Sequence, residues 1–195
     1  MSLIVYLETA EGELLLAGDS RLSYENDPYR HEDNTFKIFD YDGRIGLAFH
    51  GAADIRGIPM EKIIDDFVNG LEKSLTVNEV ANDLIEYIKQ KKSTRSTTFF
   101  VIGFNGQQKE MYWFNLQEGE FGESINSRYY TGENDDFAYD ILEEEYKTNR
   151  TYVEALDFLK ETFEKKIQND STVGGNVDII LITKDKGIQW ISRKR

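Results

Sequence analysis

The run Leu14-Leu15-Leu16-Ala17 gives way at Gly18-Asp19-Ser20-Arg21 to two charges and a hydroxyl. Asp19 is either a turn former closing a strand, since Gly-Asp-Ser is good turn chemistry, or a carboxylate delivered to a site. Lys37 poses the same choice. It alternates with Phe36 and Ile38, so in a strand its ammonium faces away from them, either snorkelling outward or buried beside a carboxylate. Other chemistry is closed off by composition. The chain has no cysteine, which excludes disulfides, thiol catalysis and thiolate metal sites. With His31 and His50 as its two histidines, a histidine-based zinc site is not expected, and no metal or cofactor is implied. His50, next to Gly51, is either a hydrogen-bonded structural residue or a side chain facing a site.

A formal charge of −13 repels a nucleic-acid backbone and an anionic membrane over most of the surface, so neither is an expected partner. The cluster Lys89 to Arg95 is a local exception, best read as a solvated helix end whose cations suit the C-terminal dipole. At 195 residues, with 39% hydrophobic side chains, the chain is expected to form a single domain over residues 1–195. No segment is long and apolar enough for a bilayer span, and the N-terminal Leu-Ile-Val-Tyr-Leu run meets Glu8 too early for a signal peptide. A cytoplasmic, metal-free protein is the expectation.

The elements that would carry these residues follow from periodicity. Residues 3–8 and 13–18 read as a hairpin around Thr9 to Glu13, and Lys37 to Phe49 as a second with Asp42-Gly43 at its turn. From Pro59 to Ser74 the apolar spacing becomes helical, through Ile63, Ile64, Phe67, Val68 and Leu71. Thr76 to Glu79 is a capping box opening a second helix along Val80, Ala81, Leu84, Ile85 and Ile88. Two strands around Asn105-Gly106 come next, then a strand near residues 124–132 and a helix over 135–146. A capping box at Thr151 to Glu154 starts a last helix, and Val177 to Asp185 with Gly187 to Arg193 forms a final hairpin. Hairpins with helices segregated in pairs argue for an α+β class. Strands apolar on both faces, such as Val177 to Ile182, argue for two sheets packed together with a helical layer outside each. The aromatics Tyr112, Trp113, Phe114 and Trp190 are expected in the core or at an oligomer interface.

Three stretches in this order resemble the proteasome β-subunit family of N-terminal-nucleophile hydrolases, over nearly the whole chain. Ala17-Gly18-Asp19-Ser20-Arg21 is similar to the family's Ala-Asp-x-Arg at the end of the second strand. Residues 36–55 resemble its Lys-Ile/Leu-Phe strand and the Ala-Gly turn after the next strand. Residues 171–191 are close to its Ser-x-x-Gly-Gly ending with an apolar run and Thr-Lys-Asp. The resemblance implies a four-layer αββα sandwich and, because members of the family commonly assemble into rings, self-association. The start of the chain is also similar to archaeal proteasome-like proteins that join peptides through a covalent intermediate.

The chemistry implied by the resemblance uses a hydroxyl at the chain's own N-terminus, with the adjacent α-amine as base. Such an amine has a pKa of about 7.7–8.0, close enough to neutrality to serve without histidine. Carried over, the nucleophile is Ser2 once Met1 is removed, Asp19 is the orienting carboxylate and Lys37 the lysine that favours the alkoxide. Gly51 would supply the oxyanion N–H, and Gly174 with Gly175 would let backbone approach the nucleophile closely. Ser20, Arg21 and His50 fall on the substrate side, although Arg21 also reads as a structural ion-pair partner. A peptide or protein substrate, cleaved or transferred through a Ser2 acyl-enzyme, is the expected function. Three departures accompany it. Ser2 to Asp19 is one residue longer than usual, so Leu3 is an alternative occupant of the nucleophile's slot. The family's serine after Thr-Gly falls on Glu133, and its aspartate at the start of the last helix on Val153. The departures at Glu133 and Val153 suit the alternative, a catalytically silent scaffold or assembly subunit.

Overall fold

Strands apolar on both faces, such as residues 14–17 and 179–182, must be covered on two sides, and the fold answers with layers. The computed structural model describes residues 2–24, 27–92, 95–115, 117, 119–123, 129–131, 146 and 150–193. Strands β1 (Ile4–Glu8) and β2 (Leu14–Asp19) form the first hairpin, and β3 (Leu22–Tyr24) and β4 (Asp27–Glu32) a small second one. Then come β5 (Ile38–Tyr41), β6 (Ile45–Gly51), and the short pair β7 (Asp54–Ile55) and β8 (Ile58–Pro59). Helices α1 (Met60–Gly70) and α2 (Val77–Lys91) follow, then β9 (Thr97–Asn105), β10 (Gln108–Asn115), β11 (Glu120–Glu123) and β12 (Tyr129–Thr131). Helix α3 (Tyr152–Asn169), β13 (Val177–Thr183) and β14 (Gly187–Ser192) complete the order.

One antiparallel sheet runs β12-β1-β2-β13-β14 and the other β11-β10-β9-β6-β5. The period of two sorts their side chains into three cores. Ile4, Tyr6, Leu14, Leu16, Ala48, Phe100, Ile102 and Ile180 meet between the sheets. Leu3, Val5, Leu15, Ala17 and Ile179 point the other way, onto Phe158, Leu159 and Phe163 of α3. Ile45, Leu47, Phe49, Phe99 and Val101 face Ile63, Phe67, Val80 and Leu84 of α1 and α2. The result is a four-layer α-β-β-α stack. Gly18 and Gly46 bring the sheets together: a Cβ on Gly18 would lie 2.8 Å from the Ile4 Cδ1, and one on Gly46 2.9 Å from the Ile180 Cδ1.

Local signals act as their chemistry requires. Asp42 and Gly43 both have positive φ, the geometry of a tight hairpin turn. Both capping boxes are formed: the Thr76 and Thr151 amides donate to the Glu79 and Glu154 carboxylates, at 2.8 and 2.9 Å. Pairing with those amides and hydroxyls holds both glutamates below the usual carboxylate range. Tyr112 and Phe114 enter the α1–α2 core, while Trp113 and Trp190 pack partly buried against the inter-sheet core. The β3–β4 and β7–β8 hairpins carry no alternation in sequence and were not expected. The helix expected over residues 135–146 lies outside the described residues except for Tyr146, which is buried against Phe158. Glu133 also lies outside them. Among the described residues no helix is long and apolar enough to cross a membrane.

Candidate active site

The end of the sheets where β2 stops is where the charged residues of the sequence converge. Antiparallel register pairs Ile4 with Gly18, so the next pair outward sets Leu3 against Asp19. The Asp19 amide donates to the Leu3 carbonyl at 3.2 Å, while the Leu3 amide donates to the Asp19 carboxylate, reaching Oδ1 at 2.8 Å. Lys37 arrives from the segment before β5 and places its ammonium Nζ 2.8 Å from the same Oδ1. The second oxygen, Oδ2, accepts the Gly174 amide at 3.1 Å and the Arg21 amide at 3.2 Å. Four donors therefore surround one carboxylate that has 0% exposure, against a lysine at 2%.

A buried charge pair is costly unless further hydrogen bonds satisfy it, and here the Leu3, Arg21 and Gly174 amides serve the carboxylate. The lysine also donates to the Arg21 carbonyl at 2.6 Å. Both choices left open by the sequence are thus decided structurally: Asp19 is no solvated turn residue and Lys37 does not snorkel outward.

Leu3 and Ser2 separate clearly. The Leu3 side chain belongs to the core beneath α3, and its contribution to the pair is its amide. Ser2, one residue earlier, carries the hydroxyl and is 7% exposed. Gly51, closing β6, has φ +112 and approaches β9 so closely that a Cβ would stand 2.5 Å from the Ser96 carbonyl oxygen. The turn beyond it is fixed by the Ala52 amide, which donates to the Ser96 carbonyl at 3.1 Å.

His50, on β6, is half-buried and stacks on Phe100 with ring centroids 5.7 Å apart. Burial, and then the positive charge of Lys37, lowers its pKa from 6.5 to about 4. Its imidazole is neutral near pH 7. Because the folded value lies below the unfolded one, the unfolded chain binds more protons between those pH values, and stability is lost as pH falls from 6.5 toward 4. Thermal unfolding across this range will show a steeper decline for the native protein than for His50→Gln.

Val153 is 62% exposed on the first turn of α3 and brings no polar group to the Asp19–Lys37 pair. Two carboxylates that the sequence reading passed over shape the surroundings instead. Asp33 pairs with Arg21, its Oδ1 2.7 Å from Nε, and raises the guanidinium above its usual range. Asp170 accepts the Thr172 amide at 2.8 Å and pairs with the buried Lys166 at 3.1 Å. Burial opposes its charge, but Thr172 and Lys166 outweigh that and hold it below the usual carboxylate range. Asp170-Ser171-Thr172 is an Asx-turn pattern legible in principle; Asp33 sits in a polar stretch without any pattern. Among the described residues no group of carboxylates and histidines is arranged to hold a metal ion.

The profile of the family described as "Proteasome subunit" matches residues 9–182. The chain belongs to the proteasome subunit family. Among its relatives, a "Proteasome subunit beta" of Methanococcoides burtonii is 24% identical over 156 residues, covering 77% of this chain and 72% of that protein. The "Proteasome subunit beta" of Thermoplasma acidophilum is 23% identical over 181 residues, 92% of this chain and 84% of the relative. The solved structure of an "Anbu (Gly-1) mutant" from Hyphomicrobium sp. strain MC1 superposes with a TM-score of 0.73 at 15% identity, over 98% of this chain and 87% of that one. That likeness establishes the proteasome-like αββα fold.

Proposed function

We propose that this proteasome-family protein is an N-terminal-nucleophile hydrolase of peptide or other amide bonds. The observation that supports this most is the Lys37 ammonium, 2% exposed and 2.8 Å from an Asp19 carboxylate that also holds the amide next to Ser2. In this reading the enclosed ammonium favours the Ser2 alkoxide far more than one in water would.

In the active form Met1 has been removed. The Ser2 Oγ attacks the substrate carbonyl as its proton passes to the freed α-amine, and the Gly51 N–H stabilises the oxyanion. Collapse of the tetrahedral adduct breaks the C–N bond, with the proton passing from the α-ammonium to the leaving amine. Water then attacks the Ser2 ester, the α-amine again taking its proton, and the acid leaves. An amine in place of that water gives peptide ligation by the same site. Of the residues assigned to the substrate side, His50 and Gly175 keep exposed surface, while Ser20 and Gly174 are buried. We place the protein in the cytoplasm as a homo-oligomer, with no nucleic-acid or membrane partner.

A second reading, a silent scaffold subunit, is favoured by Val153, an exposed apolar residue where the family resemblance expects an aspartate. Intact mass distinguishes the two. Incubation with a β-lactone or epoxyketone is expected to give a protein lacking Met1 and carrying one adduct at Ser2, absent from Ser2→Ala. A protein that retains Met1 and stays unmodified overturns the enzyme reading.

A further inference from the structure

The Lys37 ammonium rests on two oxygens from one three-residue segment, Asp19 Oδ1 and the Arg21 carbonyl. That segment starts on the last residue of β2, Asp19, which still pairs with Val177, while Ser20 and Arg21 lie between β2 and β3, outside the ladders of either strand. Arg21 supplies both backbone groups there: its N–H binds Asp19 Oδ2 at 3.2 Å and its C=O receives Lys37 at 2.6 Å. Its guanidinium is engaged on three nitrogens. Nε and Nη2 fork onto Asp33 Oδ1 and Oδ2 at 2.7 and 2.9 Å, and Nη1 donates to the Ser171 carbonyl at 3.0 Å. A two-point fork of this kind fixes a plane, which a single contact does not.

The same residues grip the glycine loop whose Gly174 amide completes Asp19. The Ser20 hydroxyl donates to the Asp33 carbonyl at 3.2 Å and accepts the Asn176 amide at 2.8 Å. Ser23 donates to the Thr172 carbonyl at 2.9 Å. A Cβ on Gly174 would lie 2.5 Å from the Arg21 Cζ, so this glycine makes room for the guanidinium itself.

We propose that Arg21 and Asp33 are positioning residues: their fork sets the Arg21 carbonyl and, through the glycine loop, the Asp19 carboxylate as the seat of the Lys37 ammonium. The proposal rests on the catalytic reading above and gives the guanidinium a task other than binding substrate. Arg21 and Asp33 are both partly exposed, with side-chain exposures of 17% and 38%, so the pair adds little stability by itself. Its value is geometric, and small misplacements near reacting groups are costly.

Covalent capture by a β-lactone, followed by intact mass over a range of probe concentrations, tests this in Arg21→Lys, Asp33→Asn and the double variant. Arg21→Lys keeps the charge without the fork, and Asp33→Asn is a near-isosteric change that spares the backbone. The maximal capture rate is expected to fall about 10- to 100-fold in each single variant, with the half-saturating concentration unchanged and no further loss in the double. Hydrogen exchange supplies a readout free of chemistry: the Gly174 and Arg21 amides should exchange faster in the variants while those of Leu47 to Phe49 do not. An unchanged maximal rate, a change confined to half-saturation, or additive losses overturns the proposal. If the native protein is never captured, the catalytic reading has failed and exchange alone decides the clamp, with unaltered Gly174 and Arg21 exchange overturning it.

Discussion

Lys37→Met is expected to lower stability by about 3–5 kcal/mol and to abolish capture by a β-lactone, because it strands Asp19 as an unpaired buried charge. For a chain of this size the loss corresponds to a fall in unfolding temperature of roughly 10 °C. The aspartate cannot escape the cost by turning outward, since the Leu3, Arg21 and Gly174 amides hold both its oxygens. Removing the charge as well helps only in part. Lys37→Met with Asp19→Asn restores neutrality, yet an amide nitrogen then replaces one acceptor and leaves buried N–H groups unpaired, at about 1–3 kcal/mol each. The double variant should therefore unfold at a denaturant midpoint between the single variant and the native protein while remaining unreactive. A Lys37→Met protein with the native midpoint would show that the pair is not closed to water. A Lys37→Met protein with the native capture rate would remove the lysine from the mechanism.

Gly51→Ala carries the second large effect. The glycine sits at φ +112, outside the left-handed well that other residues occasionally occupy, and the added Cβ meets backbone, the Ser96 oxygen at 2.5 Å and the Thr97 Cα at 2.9 Å. Backbone cannot swing aside as a side-chain tip can, so the ends of β6 and β9 must part. A cost of about 2–4 kcal/mol is expected from strain and lost pairing together. The proposed oxyanion donor moves with them, so the capture rate should drop about 100-fold or more. Gly57→Ala is the control: its φ is +79, but its Cβ would meet nothing within 4 Å. It should cost about 1 kcal/mol of stability and leave capture unaffected. Equal losses in the two variants, measured by denaturant unfolding, would mean that dihedral strain and not the Ser96 contact governs Gly51.

Two of these residues, Lys37 and Asp19, could be singled out in the sequence, and the reasons differ from those that hide Arg21 and Asp33. Asp19 ends an apolar run and Lys37 breaks the pattern of a strand start, so each stands out against its neighbours. Asp33 stands out against nothing, because His31-Glu32-Asp33-Asn34 is polar throughout. Its value arises only when the β3–β4 hairpin folds it back onto Arg21. The choice between Ser2 and Leu3 was equally out of reach of spacing alone. Hairpin register pairs the Leu3 backbone with Asp19 and sends the leucine side chain into the core under α3, and the reading of Ser2 as the nucleophile is a proposal built on that placement. The exposed position of Val153 likewise follows from how α3 lies on its sheet.

What the sequence determined unaided is local: where alternation makes strands, where the spacing turns helical, where Thr76 and Thr151 begin helices, and that strands apolar on both faces need cover on both sides. These depend on neighbours a few residues apart, whose geometry is set by the repeat of each element. Only the tertiary structure decided that an ammonium from residue 37, a carboxylate from residue 19 and an amide from residue 174 share one dry point. Charge pairing acts through space without a sequence period, so the partners are settled by how sheets and loops stack and not by any pattern along the chain.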